Sequence, residues 1–170
     1  GFNVVQETGE AAEQAQVGVT WVRSFGGPGA RSLEVTGWAL VRDLDNPIPP
    51  VIIELGRVAA GVRASVRGGL EAAGRRVDWV AGVDAEGQRD DRLNFENDAG
   101  ERGELVLDQL ETVTSVAPFA ELSFPVAGPV SALAGLRYDL HRFSAQDRIV
   151  VAGDPSTDAS GARVMDQLSP

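Results

Sequence analysis

The chain lacks several residue types on which active sites and metal centres depend. Its 170 residues include no Cys, no Lys, one His and one Met. The absence of Cys excludes disulfides, thiolate metal sites and cysteine nucleophiles. The Walker, Rossmann, His-Glu-x-x-His and Gly-x-Ser-x-Gly patterns are also absent. The sequence therefore predicts a protein that is not an enzyme, with no catalytic, cofactor-binding or metal-binding residue and no cofactor.

Long hydrophobic runs are missing as well. The most apolar stretch, residues 126–136, is interrupted by Pro129 and diluted by Gly and Ala. A helix that crosses a bilayer needs about 20 consecutive apolar residues, so we expect no membrane span. The first residues do not show the basic segment and apolar core of a signal peptide, although a signal that was removed stays an open alternative.

Basic residues are fewer than acidic ones: the chain has 15 basic and 25 acidic residues, and its net charge is −10. A protein that grips phosphates needs a basic stripe, so the composition predicts no direct nucleic-acid contact. All the basic residues are Arg, which indicates a GC-rich genome or selection for the bidentate guanidinium. Along residues 62–67, Arg63 and Arg67 alternate with apolar residues, a pattern typical of a strand with a solvated or subunit-contacting face.

What the sequence does contain is a series of short apolar segments of period two, separated by Gly and Pro. This alternation is typical of half-buried β-strands. In segment 33–41, Leu33 and Val35 lie on one face, and Thr36 and Trp38 lie on the other. Trp21 and Trp79 lie on the apolar sides of segments 17–25 and 77–83. The predicted strands are 17–25, 33–41, 51–55, 62–67, 77–83, 93–96, 119–126, 136–143 and 149–152. Residues 103–110 are either a strand or a helical turn.

No helix longer than two turns is needed between these segments, which favours antiparallel pairing. We predict an all-β fold of about eight or nine strands, a single antiparallel β-sandwich or barrel that is jelly-roll-like. Residues 1–16 form a polar arm with helical potential, residues 17–153 form the domain, and residues 154–170 form a polar tail with a short helix near 162–168.

Three groups of side chains are candidates for chemistry. His141 lies near Asp139 and Ser144, but Ser144 has no nucleophile elbow, so an exposed strand histidine is the favoured interpretation. Residues 84–91 are predicted to be an acidic connection, and the acidic stretch 84–104 is interpreted as solvated and self-paired. Calcium binding is the alternative, although the spacing fails the EF-hand pattern. Trp38 is the best surface aromatic for stacking on a sugar.

The whole-chain pattern resembles the small single jelly-roll capsid proteins of tailless viruses that infect thermophilic bacteria. The features that match are about 135 residues of successive strands, the polar arm before Val17, the Gly/Asp/Ser tail after Gly153 and the use of Arg alone. The missing Lys departs from the Lys and Glu enrichment of thermophiles. The resemblance implies a virion shell subunit that contacts copies of itself or a second coat protein.

The predicted function is accordingly structural and non-catalytic: a self-assembling viral capsid or coat subunit located in the virion. Open sheet edges can pair with neighbours, and we expect Arg63 and Arg67 of one subunit to face the acidic stretch of another. The alternative is a secreted or surface β-sandwich module, extracellular or on the cell surface, that recognises glycan or protein through its loops.

Overall fold

The computed structural model describes residues 5, 7–27, 30–72, 74–150 and 157–170. This part of the chain contains strands and no helical element. The strands are β1 (Ala11–Phe25), β2 (Arg31–Ile48), β3 (Val51–Ala72), β4 (Arg75–Asp98), β5 (Glu101–Ala127), β6 (Val130–Asp147) and β7 (Gly161–Ser169).

The seven strands form one antiparallel sheet in which each strand pairs with the next one along the chain. The predicted all-β antiparallel fold is confirmed. The described residues form one layer in consecutive order, whereas a jelly roll joins two sheets by Greek-key connections.

Two of the connections between neighbouring strands are tight turns. Pro49 and Pro50 end the β2–β3 ladder because proline has no amide hydrogen to donate. Ala99 and Gly100 join β4 to β5 with φ angles of 53° and 97°, and the glycine tolerates this left-handed conformation without steric cost. β2 and β3, and likewise β4 and β5, therefore meet as hairpins.

The strand count of eight or nine is wrong, because several predicted short strands are parts of longer ones. Segments 51–55 and 62–67 both lie in β3, and the predicted turn 43–50 is mostly strand, since β2 runs to Ile48. The predicted acidic loop 84–91 lies inside β4. Charged residues in these places resemble loop sequence, but the register of the sheet sets many of them opposite side chains of unlike charge on the neighbouring strand.

The elements near the two ends of the chain also differ from those predicted. β1 begins at Ala11, inside the predicted arm, and the predicted helix 162–168 is the strand β7. Of the predicted strand 149–152, Ile149 and Val150 lie outside any strand, and residues 151 and 152 fall outside the described residues. The β7 sequence follows the period of two that places Val164 and Leu168 on one side.

Very little of the described chain is buried. The buried hydrophobic residues are Ile52, Ala59 and Ala117, and no large side chain is completely enclosed. Trp21, predicted to lie in a core, is 50% exposed, because a single layer of strands offers nothing to cover it. No helix in the described chain is long and apolar enough to cross a membrane.

Candidate functional site

The two faces of the sheet differ sharply in chemistry. Side chains alternate between faces along a strand, and residues opposite each other on paired strands share a face. The register therefore defines one face by the odd-numbered residues of β1, β2 and β4 together with the even-numbered residues of β3, β5, β6 and β7. We call this the apolar face and its opposite the polar face. This assignment is interrupted only by the register shifts near Phe95 and Pro125.

The apolar face carries a continuous field of exposed hydrophobic side chains across all seven strands. Val62 at the middle of β3 is 45% exposed, and Val116 on β5 is 46% exposed. The sequence predicted the apolar side correctly for segments such as 33–41, 77–83 and 136–143, but did not show that these sides join into one surface. Its exposed large members include Val17, Val19, Trp21, Val41, Val58, Val62, Val83, Val116, Leu122, Leu136, Leu140 and Val164.

Charged residues mark the limits of this field on several strands. On the apolar face, β1 has no charge between Glu13 and Arg23, an interval of nine residues. On β2 the interval between Arg31 and Asp43 is eleven residues. The field is therefore a stripe of limited height that crosses the strands.

The same stripe continues through the centre of the sheet. On β4, thirteen residues separate Arg75 from Arg89, and on β3 the apolar face has no charge after Glu54. On β7 Asp166 interrupts the stripe, but its carboxylate accepts a hydrogen bond of 3.1 Å from the Tyr138 hydroxyl. A contiguous apolar surface of this extent marks a contact with another molecule or with a membrane.

The polar face carries most of the ion pairs. Arg57 of β3 donates from Nε and Nη2 to the two oxygens of Asp90, at 2.8 and 2.7 Å. The Asp90 side chain is only 4% exposed, and Gln88 donates a further hydrogen bond to it. This bidentate geometry fixes the register of β3 against β4.

A second cluster on the polar face spans β3 to β6. Arg63 donates to both oxygens of Asp84 at 2.5 and 2.8 Å, and Arg137 of β6 reaches the same carboxylate at 2.6 Å. The hydrogen bond from Arg63, followed by the one from Arg137, lowers the pKa of Asp84 from 3.8 to about 2 although partial burial opposes the shift. Arg137 also donates to Asp139, so the cluster is a chain of alternating charges.

These contacts change the predicted role of the arginine strand. The sequence predicted that Arg63 and Arg67 would pair with acids of another subunit. Instead Arg63 pairs with Asp84 of its own chain, and Arg67 lies 3.1 Å from Glu34 of β2. The arginines do face acidic side chains, but these ion pairs join neighbouring strands of the same sheet.

One end of the apolar face carries a further charged network. Arg102 contacts Glu54 and lies 2.6 Å from Asp45. Arg148 lies 2.7 Å from Asp91 and 3.2 Å from Asp108. This end is where the β2–β3 and β4–β5 turns lie, so the stripe ends there in a charged zone dominated by acids.

The candidate chemical residues do not assemble into a centre. Asp139 and His141 share the polar face, but Ser144 lies on the opposite face of β6. The acids of the stretch 84–104 are divided between both faces of β4 and the start of β5. Within the described residues no three His, Asp or Glu side chains are grouped closely enough to hold a metal ion.

Trp38 lies on the polar face, where its indole crosses the backbone at Gly61. A Cβ atom at Gly61 would lie 2.6 Å from the indole nitrogen, so glycine is required for this packing. The side chain is half-buried rather than free-standing. Its use in stacking on a sugar stays a prediction.

The two edges of the sheet are the strands β1 and β7. β1 pairs only with β2, and β7 pairs only with β6, so within the described chain the outer side of each is unpaired. Comparison with protein-family models and with curated proteins finds no match to this chain. The surfaces and edges therefore carry the functional argument.

Proposed function

We propose that this chain is a structural, non-catalytic protein whose seven strands form part of a sheet embedded in a lipid bilayer. The apolar face lies against acyl chains, and the polar face lies against water or polar contents. The observation that carries the proposal is the inverted polarity of the sheet. Ion pairs lie on the polar face behind the middle of the sheet, while the middle of the other face exposes hydrophobic side chains and its ion pairs lie at one end.

The height of the apolar stripe supports this role. A tilted strand needs about 9–11 residues to cross the hydrocarbon layer. The charge-free intervals on β1, β2 and β4 are nine, eleven and thirteen residues. The stripe is therefore tall enough to span the hydrocarbon, and charges begin where the headgroups would be.

The backbone hydrogen bonds also suit a bilayer. Strands β2 to β6 are paired on both sides, so most of their amide and carbonyl groups need no water. Only the outer edges of β1 and β7 need partners, which the edge strands of other copies of this chain or strands of a different origin would supply. The proposal departs from the sequence-based expectation of no membrane span, which considered helices alone.

A self-assembling shell subunit, the function predicted from the sequence, is the second candidate. The observation that favours it is the pair of unpaired edges, because open edges can pair with other copies. A sandwich or jelly roll would then have to form by covering the apolar face with another sheet. For the alternative function, a module that binds glycan or protein, the supporting observation is the half-buried Trp38.

The test uses two valines of β5 that lie three residues apart on opposite faces. The unfolded chain is diluted into vesicles of phosphatidylcholine, and insertion is measured by flotation and protection from protease. We expect the native chain to insert and Val116→Arg to insert poorly, because an arginine in the hydrocarbon costs about 2–4 kcal/mol.

The matched control is Val113→Arg, which adds the same charge to the polar face beside Glu111. It should insert like the native chain. If the native chain stays in the aqueous phase, or if the two variants insert equally, the membrane proposal is wrong. Closed assemblies that form in buffer without lipid, detected by light scattering, would favour the shell subunit instead.

A further inference from the structure

The two limits of the apolar stripe differ in charge. At the end with the β1–β2 and β3–β4 turns, the charged residues on the apolar face are Arg23, Arg31 and Arg75. We call these three the basic border. The opposite limit carries mostly acids, including Glu13, Asp43, Asp45, Glu54, Asp91 and Asp108.

The basic border is available for a partner. The ion pairs among the described residues all involve other arginines, so no described carboxylate lies within salt-bridge distance of these three guanidinium groups. All three residues are exposed. Arg23 lies 5.3 Å from the ring centre of Phe25, and Arg75 donates from one nitrogen to the carbonyl oxygens of Pro125 and Val126.

An arginine and an aromatic ring are held together at this border. A Cβ atom at Gly68 would lie 3.1 Å from Cγ of Arg31 and 3.0 Å from the Trp79 ring, so both side chains lie over this glycine. A groove of about 450 Å³ opens beside them. Its charged lining is Arg31, Arg67, Arg76 and Asp78, and Asp78 is paired with Arg76.

From this arrangement we infer that the basic border binds the phosphate groups of anionic lipids and thereby orients the sheet in the bilayer. The inference rests on the proposed function, because it assumes that the stripe lies in hydrocarbon. Guanidinium groups make charge-assisted hydrogen bonds to phosphate, and tryptophan favours the boundary between hydrocarbon and headgroups. Trp21 and Trp79 lie on the apolar face within four residues of Arg23 and Arg75.

The net charge of the chain makes the test decisive. With a net charge of −10, the whole protein is repelled by an anionic surface. A preference for anionic vesicles must therefore come from a local basic surface. We expect the native chain to bind vesicles that contain phosphatidylglycerol more tightly than vesicles of phosphatidylcholine alone, and this preference should weaken with salt.

Substitution of single arginines then tests whether the preference for phosphatidylglycerol comes from the basic border. Arg31→Gln should reduce the preference for phosphatidylglycerol by about fivefold, the effect of one arginine near an anionic surface, and leave binding to phosphatidylcholine unchanged. Arg142→Gln is the control, because Arg142 is exposed on the apolar face toward the opposite limit of the stripe. It should leave the preference intact.

The outcomes separate the two proposals. A native chain that does not insert even into phosphatidylcholine contradicts the proposed function itself. Insertion without any preference for phosphatidylglycerol, or an equal loss in both variants, overturns only the lipid-phosphate inference. Suppression of the preference by inorganic phosphate at constant ionic strength would show that the border is a site for free phosphate, which also overturns it.

Discussion

The Asp84 carboxylate shows how single residues stabilise this sheet. Two guanidinium groups, from Arg63 and Arg137, contact it from different strands. Because these contacts lower its pKa to about 2, the ionised pair stabilises the fold fully above about pH 4. That contribution is lost as the pH falls through about 2.

Asp84→Asn in detergent micelles should therefore lower the free energy of unfolding by about 1 kcal/mol at pH 6, since both arginines are partly exposed and screened by solvent. The difference from the native chain should shrink as the pH approaches 2, as measured by urea unfolding. Asp78→Asn is the control, because the Arg76–Asp78 pair is largely exposed. Equal changes in the free energy of unfolding for the two variants would show that the Asp84 cluster stabilises the fold no more than an exposed ion pair does.

Within an element, β4 contains two glycines in very different surroundings. A Cβ atom at Gly82 would lie 2.5 Å from the carbonyl oxygen of Ala64 and 2.7 Å from the Phe119 ring, whereas one at Gly87 would meet nothing within 4 Å. Gly82→Ala should thus destabilise the fold by about 1–3 kcal/mol. Gly87→Ala should be neutral or stabilising, because alanine loses less backbone entropy on folding.

Thermal unfolding in detergent micelles measures both variants. The comparison is matched, since both substitutions are glycine to alanine in one strand. Similar melting temperatures would mean that Phe119 and the neighbouring backbone move aside at no cost, and the packing described for Gly82 would then be wrong.

For the individual strands, the sequence predicted correctly which side chains share a face, but it predicted strands that are too short. The alternation on 33–41 and 77–83 correctly separated the apolar and polar sides. The breaks between segments were misplaced because residues such as Asp84 and Asp90 resemble loop residues when their cross-strand arginines are unknown. Pairing across strands more than 20 residues apart is not visible in local sequence.

The whole molecule has two unpaired edges, and they limit its stability as a single copy. In micelles that hold one chain, we expect amide protons of β1 and β7 to exchange faster than those of β3 and β4, because the edge strands are hydrogen-bonded on one side only. Hydrogen exchange followed by mass spectrometry measures this order. Uniform protection in the single chain would contradict the open sheet.

If other copies complete the sheet, protection of β1 and β7 should rise with protein concentration while that of β3 and β4 stays constant. If strands of a different origin complete it, protection should not depend on concentration. The same measurement therefore distinguishes assembly between identical chains from completion by strands of a different origin.

The sequence by itself determined the class of the fold and the two faces of most strands, because the period of two is a local property of the chain. It also indicated the absence of familiar catalytic motifs. The tertiary structure decided that the apolar sides join into one exposed surface, that Arg63 meets Asp84 within one chain, and that Arg31 and Trp79 share the space over Gly68. These outcomes depend on register and strand order, which are set by contacts between distant residues.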